Sequence, residues 1–225
     1  MYDQKVLSVI TARGGSRRLP KKNLRKLGNQ TLLERTVKAS IGSKNISQTI
    51  LSSDCPTIIK EALKYGCDVP FIRPAKLATS SAKSEDVLEH AIKNLPGFYW
   101  ILLLQPTSPF RTSEDIDLAL RLAKMFNCNS CVGVTQVQPG NHRNEQNLFT
   151  GDVLNSNAQN PDFVDRECKT KFILNGAIYL IKASHFLRTK KLVTGDTIGI
   201  EMSAKKSIDI DTIEDFDFAS KLMEV

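Results

Sequence analysis

Several features that mark common protein classes are scarce or missing in this sequence. Aromatic residues make up 7% of the chain, and they are not interleaved with the basic residues as in proteins that stack on single-stranded nucleic acid. The three histidines, His90, His142 and His185, have no metal-ligand spacing. The patterns GxxxxGKS/T, GxGxxG and GxSxG are absent, which argues against a P-loop, a dinucleotide fingerprint and a hydrolase nucleophile elbow.

Long apolar segments are missing as well. The apolar run from Trp100 to Leu104 is far too short to span a bilayer. The N-terminus enters an apolar strand within a few residues and shows no signal-peptide cleavage site. We therefore expect a cytoplasmic protein that does not bind a membrane.

Cysteine is present in an odd number and with irregular spacing, at Cys55, Cys67, Cys128, Cys131 and Cys168. This pattern predicts free thiols in a reducing compartment rather than a disulfide framework. Cys128 and Cys131 form a CxxC, but no second pair or matching histidines follow. We interpret this pair as a helix end that runs into a strand.

Apolar runs alternate with helical patterns along the 225 residues, which predicts an α/β fold with a mostly parallel sheet flanked by helices. The length favours a single domain, residues 1–225. The polar, asparagine-rich segment 138–171 is predicted to be an insertion, an arm or a lid. Short strands are expected at Val69 to Ile72 and at Ser207 to Asp211.

The net charge of the chain is +7. Basic residues are concentrated between Arg13 and Lys26, just after the first predicted strand, and elsewhere they are mixed with acidic residues. Glycines allow backbone N–H groups to approach a phosphate, and arginine and lysine add charge-assisted bonds to its oxygens. The segment from Ala12 to Asn23 is thus a candidate phosphate loop at the carboxyl edge of the sheet. By composition alone, a solvated basic loop is about equally favoured.

Two carboxylates alternate in Ser207-Ile208-Asp209-Ile210-Asp211-Thr212. In a strand, residues two apart share a face, so Asp209 and Asp211 would lie side by side. Magnesium often uses one or two carboxylates together with substrate phosphates. The alternative is that both residues are acids at the start of a helix. That alternative explains Asp211 alone more easily than it explains the alternating pair.

Two further segments offer polar groups at predicted strand ends. Gln105 opens a loop with two prolines after the central strand, and its amide can donate and accept hydrogen bonds. Asn175 and Gly176 begin a strand, where glycine indicates close approach of a ligand or another backbone. An ordinary turn and a buried structural asparagine are the respective alternatives.

Four motifs in one order resemble the CMP-sialic acid synthetase family, the acylneuraminate cytidylyltransferases. They are the Ala12–Asn23 segment, with Arg17 in place of the usual lysine, LLQPTSPFRT at Leu103–Thr112, NGAIY at Asn175–Tyr179 and SIDIDT at Ser207–Thr212. The resemblance covers nearly the whole chain. It implies a Rossmann-like sheet and a small dimerisation arm, for which 138–171 is the candidate.

The resemblance also implies roles for individual residues. Catalysis is assigned to Arg13, Lys22, Asp209 and Asp211, and the two aspartates are the magnesium ligands. Nucleotide contacts are assigned to Arg13, Gly14, Ser16, Arg17, Lys22, Asn23, Arg73, Ala82 and Ser84. Sugar contacts are assigned to Gln105, Asn175 and Tyr179, with Arg166 as the candidate ligand of the sugar carboxylate.

The implied reaction couples CTP to a nine-carbon 2-keto sugar acid and releases pyrophosphate. This chain departs from the family around Asp165–Lys169, which lacks a proline, and at Leu192-Val193, near the place of an aromatic pair. His142-Arg143 stand near the place of an expected lysine. The acid is therefore expected to be either an N-acylneuraminate or a different nonulosonic acid, such as legionaminic acid or a relative. A homodimer that binds no nucleic acid is expected.

Three other functions compete with this one. A CMP-Kdo synthetase shares the chemistry but uses an eight-carbon acid, and the intact QPTSP and NGAIY segments argue against it. A non-catalytic CTP-binding relative would not need both Asp209 and Asp211. The third is a nucleic-acid-binding module, and the net charge is the only feature that suggests it.

Overall fold

One mixed sheet of eight strands organises the chain. The structure, a computed structural model, describes residues 4–137, 148–154 and 171–223. The strands are β1 (Val6–Thr11), β2 (Lys26–Leu27), β3 (Gln30–Thr31), β4 (Gln48–Ser52), β5 (Trp100–Leu104), β6 (Ser130–Gln136), β7 (Leu148–Phe149), β8 (Asp152–Leu154), β9 (Phe172–Lys182) and β10 (Thr197–Glu201). The helices are α1 (Leu32–Gly42), α2 (Pro56–Lys64), α3 (Ser84–Asn94), α4 (Ser113–Met125), α5 (Ala183–Thr189) and α6 (Ile213–Lys221).

Most neighbouring strands in the sheet are parallel. The order is β4-β1-β5-β9-β6-β10-β8, with β7 paired to β9. Strand β9 runs antiparallel to β5, β6 and β7, whereas β1 pairs in parallel with β4 and β5, and β10 with β6 and β8. The prediction of a mostly parallel sheet flanked by helices is therefore confirmed, and β2 and β3 form a separate two-stranded ribbon.

Helices cover both faces of the sheet because the buried strands alternate their apolar side chains. In β1, Val6 and Ile10 pack into a cluster with residues of α1, α2 and α4, while Leu7 and Val9 pack with residues of α3 and α5. This two-sided burial explains why the strands read as continuous apolar runs. None of the helices in the described ranges is both long enough and apolar enough to cross a bilayer.

The capping signals in the sequence correspond to two helix starts. Thr112 and Asp115 form a capping box at α4, and Thr212 and Asp215 form one at α6. Each pair satisfies backbone N–H groups that a helix start leaves without partners. These reciprocal bonds fix where the loops after β5 and before α6 end, which matters because both loops border the site.

Two predicted strands are wrong. Val69 to Ile72 forms no strand, and only Asp68 makes an isolated bridge to Ile50. Pro70 lies within that segment and cannot donate to a ladder. Ser207 to Asp211 is not a strand either, since a short 3-10 helix, Lys205–Ser207, precedes irregular extended backbone.

The segment 138–171 is described only in part. Its residues 148–154 contain β7 and β8, which join the main sheet, and most of its other positions, including Arg166, His142, Arg143 and Cys168, lie outside the described residues.

The four described cysteines are free. Cys128 follows α4 and Cys131 lies in β6, as expected for a helix end running into a strand, and burial raises the pKa of Cys128 to about 11.

Candidate functional site

A cleft of about 530 Å³ opens at the carboxyl ends of β1, β4 and β5. Parallel strands bring their following loops to this edge. Eleven of the residues implied by sequence line it: Arg13, Ser16, Arg17, Lys22, Asn23, Arg73, Ala82, Ser84, Gln105, Asp209 and Asp211. Arg18, Thr79, Ser80 and Thr107 also line it, and sequence reasoning did not single them out. The cleft thus combines a cationic loop, two carboxylates and neutral polar groups.

The loop after β1 is held by its own backbone and by one buried asparagine. Asn23 is buried and donates its side-chain amide to the Arg13 carbonyl at 3.0 Å. Leu19 anchors the middle of the loop in a small apolar cluster beneath it. The arginine and lysine side chains of the loop therefore project from a fixed backbone, although Arg17 and Arg18 are themselves exposed.

Gly14 serves close packing between two loops rather than the cleft lining. Its N–H donates to the Asp54 carboxylate at 2.9 Å, and a Cβ at this position would lie 2.9 Å from the Cys55 Cβ. Any side chain there would therefore displace the loop after β4. Gly14 is not among the residues that line the cleft, so its implied contact with nucleotide stays a prediction.

Arg73 is a buried cation in the wall of the cleft. Its Nε donates to the Ser52 Oγ at 3.0 Å, and its backbone N–H donates to the Ser53 carbonyl at 2.8 Å. Burial, with a smaller contribution from the Arg13 charge, lowers the pKa of Arg73 to about 10, and Asp54 opposes this shift. The side chain is thus fixed to the end of β4, and it remains charged at neutral pH.

The two aspartates lie together with two cations. The Asp211 carboxylate receives hydrogen bonds from the Lys22 Nζ at 2.8 Å and from Arg18 at 2.5 Å. Burial alone would raise the pKa of Asp211, but the bonds and charges of Lys22 and Arg18 outweigh it and hold that pKa below its usual value. Burial raises the pKa of Asp209, and the Asp211 charge adds to this effect.

Although their segment is not a strand, the aspartates still alternate with apolar residues, of which Ile208 is partly buried and Ile210 is buried. Ile210 is fully buried and its N–H donates to the Thr107 carbonyl at 2.8 Å, so both carboxylates are presented to the cleft. Within the described part of the chain, no group of three or more His, Cys, Asp or Glu residues could hold a metal ion. Two hard carboxylate ligands do fit magnesium, which takes its remaining ligands from phosphates and water.

A second cavity of about 330 Å³ adjoins the cleft. Ser84 and Gln105 line both spaces. The other residues that line the second cavity are Glu85, Leu174, Tyr179, Lys191, Leu192 and Val193. Burial and the nearby carboxylates of Asp209 and Glu85 raise the pKa of Tyr179, which lines the second cavity, to about 12, so its hydroxyl stays protonated at neutral pH. Sequence reasoning missed Glu85 and Lys191, which belong to no motif.

Asn175 lines neither cavity. It is buried, its amide nitrogen donates to the Ser207 Oγ at 3.0 Å, and its carbonyl oxygen accepts from the Ala177 N–H at 3.0 Å. It therefore connects β9 to the segment that carries the aspartates. Its implied contact with the sugar stays a prediction, as does that of Arg166, which lies outside the described residues.

An irregularity in β9 creates this connection. The register with β6 shifts between the pair Val132–Tyr179 and the pair Val134–Leu174, so β9 holds extra residues opposite Gly133. Gly176 lies within them with a φ of 74°, a conformation that glycine adopts without strain. The bulge brings Asn175 toward the loop of the aspartates.

The family of the chain follows from comparison with known proteins. Residues 7–224 match the model of a family described as Cytidylyltransferase. The chain belongs to this family. It is 34% identical over 238 aligned positions to a CMP-N,N'-diacetyllegionaminic acid synthase from Legionella pneumophila, with 98% of this chain and 97% of that protein covered.

Other relatives in the family differ in length and in their named product. An N-acylneuraminate cytidylyltransferase from Escherichia coli is 30% identical over 98% of this chain, which spans 52% of that protein. A pseudaminic acid cytidylyltransferase from Campylobacter jejuni is 26% identical, with 98% of this chain and 97% of the relative covered. The resemblance inferred from the four motifs is confirmed.

Solved structures agree on the fold. A CMP:2-keto-3-deoxy-manno-octonic acid synthetase complexed with CTP superimposes with a TM-score of 0.72 and 15% identity, covering 98% of both chains. A 4-diphosphocytidyl-2C-methyl-D-erythritol synthase from Anaerococcus prevotii gives a TM-score of 0.66 with 18% identity, over 99% of this chain and 100% of that one. At these identities the likeness concerns the fold.

Proposed function

We propose that this cytidylyltransferase couples CTP to a nine-carbon 2-keto sugar acid and releases pyrophosphate. The observation that carries the proposal is the junction of the two cavities at Ser84 and Gln105. The larger cleft is cationic and suits a triphosphate. The second cavity is smaller, and the described residues that line it include a single lysine together with polar and apolar groups. The relatives named for diacetyllegionaminate, N-acylneuraminate and pseudaminate synthesis support the same class of acceptor.

In this proposal the nucleotide occupies the larger cleft. The triphosphate lies against Arg13, Arg17 and Lys22, because charged donors bind phosphate oxygens about twice as strongly as neutral donors do. The cytidine lies toward Arg73 and Ser84, which line the same cleft. The buried, bonded Arg73 supports this placement, since a fixed donor loses little entropy when it binds.

Asp209 and Asp211 would hold Mg²⁺ between themselves and the phosphates. A bound magnesium ion would neutralise phosphate charge during transfer. Lys22 and Arg18, which neutralise Asp211 in this structure, are both among the residues that line the cleft and would then be available to phosphate oxygens. This donor set therefore suits a metal-bound triphosphate.

The chemistry is a direct displacement. The anomeric hydroxyl oxygen forms a bond to the α-phosphorus, the bond from that phosphorus to the bridging oxygen breaks, and pyrophosphate leaves. Among the described residues that line the cleft, Asp209 and Asp211 are the carboxylates that could take the hydroxyl proton. Positioning by Gln105 and charge neutralisation by the basic loop account for the remaining catalysis.

We further propose that the enzyme acts as a homodimer in the cytoplasm, where CTP is made. The support for the dimer is the resemblance of the chain to its family, with the segment 138–171 as the candidate dimerisation arm. Size-exclusion chromatography with light scattering would show twice the chain mass of 25.1 kDa. A mass equal to one chain at micromolar concentration would refute the dimer without affecting the proposed reaction.

The test is pyrophosphate release from CTP and Mg²⁺ with a panel of acids: N-acetylneuraminic, N,N'-diacetyllegionaminic, pseudaminic and the eight-carbon Kdo. We expect release with at least one nine-carbon acid. Asp209→Asn should lower turnover by at least about 100-fold, the scale of a lost electrostatic group, with an unchanged circular dichroism spectrum. Asp217→Asn, exposed on α6, is the matched control and should retain activity. Release with Kdo alone would contradict the proposal.

A further inference from the structure

Three short segments that carry implied site residues are bonded to one another. They are the turn after β5 (residues 105–112), the bulge of β9 (residues 175–177) and the segment of the aspartates (residues 207–211). The Asn175 amide links the bulge to Ser207 of the aspartate segment. The Ile210 N–H links that segment to the Thr107 carbonyl of the turn. Arg111 makes the third link, between the turn and the bulge.

Arg111 is a buried cation behind the site. It is 4% exposed, and its Nη1 donates to the Ala177 carbonyl at 2.8 Å and to the Gln105 carbonyl at 3.4 Å. Burial lowers its pKa to about 10, against the opposing charge of Asp115, so the guanidinium remains charged at neutral pH. Arg111 lines neither cavity, and any effect on a bound substrate must therefore pass through the residues that it holds.

The link made by Arg111 bears on where the Gln105 side chain lies. A Cβ built on Gly176 would lie 3.5 Å from the Gln105 Oε1 and 3.6 Å from the Ser108 Oγ, so the Gln105 amide lies beside the bulge. Arg111 bonds the backbone of Gln105 to Ala177, the residue that follows Gly176. The turn and the bulge thus hold the Gln105 side chain together, at the place where it lines both cavities.

The other donors of Arg111 add little to the stability of the fold. Its Nε and Nη2 are buried and have no hydrogen-bond partner among the described residues, and the same is true of the Ser108 Oγ. Buried charged donors without acceptors cost stability, and an apolar side chain of similar volume is often tolerated in their place. The net stabilisation by Arg111 is therefore expected to be small, which distinguishes a role in alignment from a role in folding.

We propose that Arg111 is a positioning residue that aligns the Gln105 amide with the acceptor by bonding the turn after β5 to the bulge of β9. The inference rests on the proposed function, in which Gln105 positions the sugar acid. Arg111 acts through Gln105 and binds no phosphate itself. Misplacing a positioning group by about 1 Å can lower the rate by about 100-fold, so the loss of this link should affect the reaction of the acid more than the binding of CTP.

A double-mutant cycle between Arg111 and Gln105 tests the proposal. With CTP, Mg²⁺ and an accepted nine-carbon acid, Arg111→Met should lower kcat/KM for the acid by about 10- to 100-fold. In a Gln105→Ala background the same change should lower it by less than about threefold, because residues that act as a unit are not additive. Arg121→Met, exposed on α4, is the matched control and should leave kcat/KM unchanged.

Two readouts besides turnover separate alignment from other roles. The Kd for CTP, measured by calorimetry without the acid, should change by less than about twofold in Arg111→Met, since no phosphate contact is lost. The Tm of this variant should stay within about 4 °C of the wild type. Should Arg111→Met not fold, Arg111→Lys, which keeps the charge and a donor but not the planar fork, takes its place in the cycle.

The outcomes separate the two proposals. Losses that multiply in the double variant would show that Arg111 does not act through Gln105, and they would overturn the inference. An affinity for CTP that falls as much as kcat/KM would assign Arg111 to nucleotide binding and would overturn it as well. Both results leave the proposed function standing. If the wild type releases no pyrophosphate with any nine-carbon acid, the proposed function itself fails, and the inference fails with it.

Discussion

A single methyl group added at Gly133 should disrupt the connection between β9 and the aspartates. A Cβ built at this position would lie 2.5 Å from the Asn175 Oδ1 and 2.9 Å from the Met202 Sδ. The thioether of Met202 is flexible and can move. Asn175 cannot move freely, because its amide is bonded to both Ser207 and the Ala177 N–H.

The cost of Gly133→Ala has two parts. Forcing a methyl group into a filled space costs about 1–3 kcal/mol. Displacing Asn175 breaks one buried and one partly buried hydrogen bond, each of which contributes about 0.5–1.5 kcal/mol. We expect a loss of about 2–6 kcal/mol in the free energy of unfolding. For a chain of this size each kcal/mol lowers Tm by about 2–4 °C, so Tm should fall by about 4–24 °C.

Urea denaturation and differential scanning calorimetry measure both quantities. Gly195→Ala is the matched control, since a Cβ there meets no atom within 4 Å and its backbone requires no positive φ. It should change Tm by less than about 2 °C. In an Asn175→Ala background, which removes the amide, Gly133→Ala should cost at least about 1 kcal/mol less, because the two sites are coupled. A Tm for Gly133→Ala that matches the control would refute the reasoning.

Two further changes test the electrostatics. Asp117 of α4 accepts hydrogen bonds from the Ser43 Oγ at 2.6 Å and the Asn45 Nδ2 at 2.8 Å, and although burial opposes it, these bonds hold its pKa below the usual 3.8. Asp117→Ala should therefore cost about 1–2 kcal/mol at pH 7, and in urea titrations this cost should persist at pH 5 and shrink as the pH falls below about 4. An equal cost at every pH would contradict the assignment. Lys22→Met should lower kcat/KM for CTP by about 10- to 100-fold, the value of one charged hydrogen bond, whereas exposed Lys221→Met on α6 should not; activity of Lys22→Met near that of the wild type would argue against a phosphate contact.

The sequence predicts well what local patterns determine. The buried runs at β1 and β5 and the capping boxes at α4 and α6 are recognisable because each depends on neighbouring residues. The basic loop and the two aspartates also lie where their motifs indicate. Their carboxylates reach the same cleft because alternation with buried Ile210 determines which side faces in, even without a strand.

The failures come from interactions that are distant along the chain. Val69 to Ile72 has strand-like residues beside the edge strand β4, but pairing with β4 stops at the bridge between Asp68 and Ile50, because Pro70 has no N–H to donate. The antiparallel direction of β9 depends on which strands flank it, and its own residues do not encode this. Glu85 and Lys191 could not be found because each reaches the second cavity only through the packing of α3 and the chain after α5.

The place of β9 in the sheet has a consequence for how the chain folds during synthesis. β9 separates β5 from β6, yet it ends at Lys182, about 80 residues after the end of β5. At about 5–20 residues per second, the nascent chain exposes the free edge of β5 for several seconds before its partner exists. An open edge with apolar flanks is prone to pair with other chains. Ribosome-bound chains that end before Phe172 should therefore depend on chaperones far more than those that extend past Lys182.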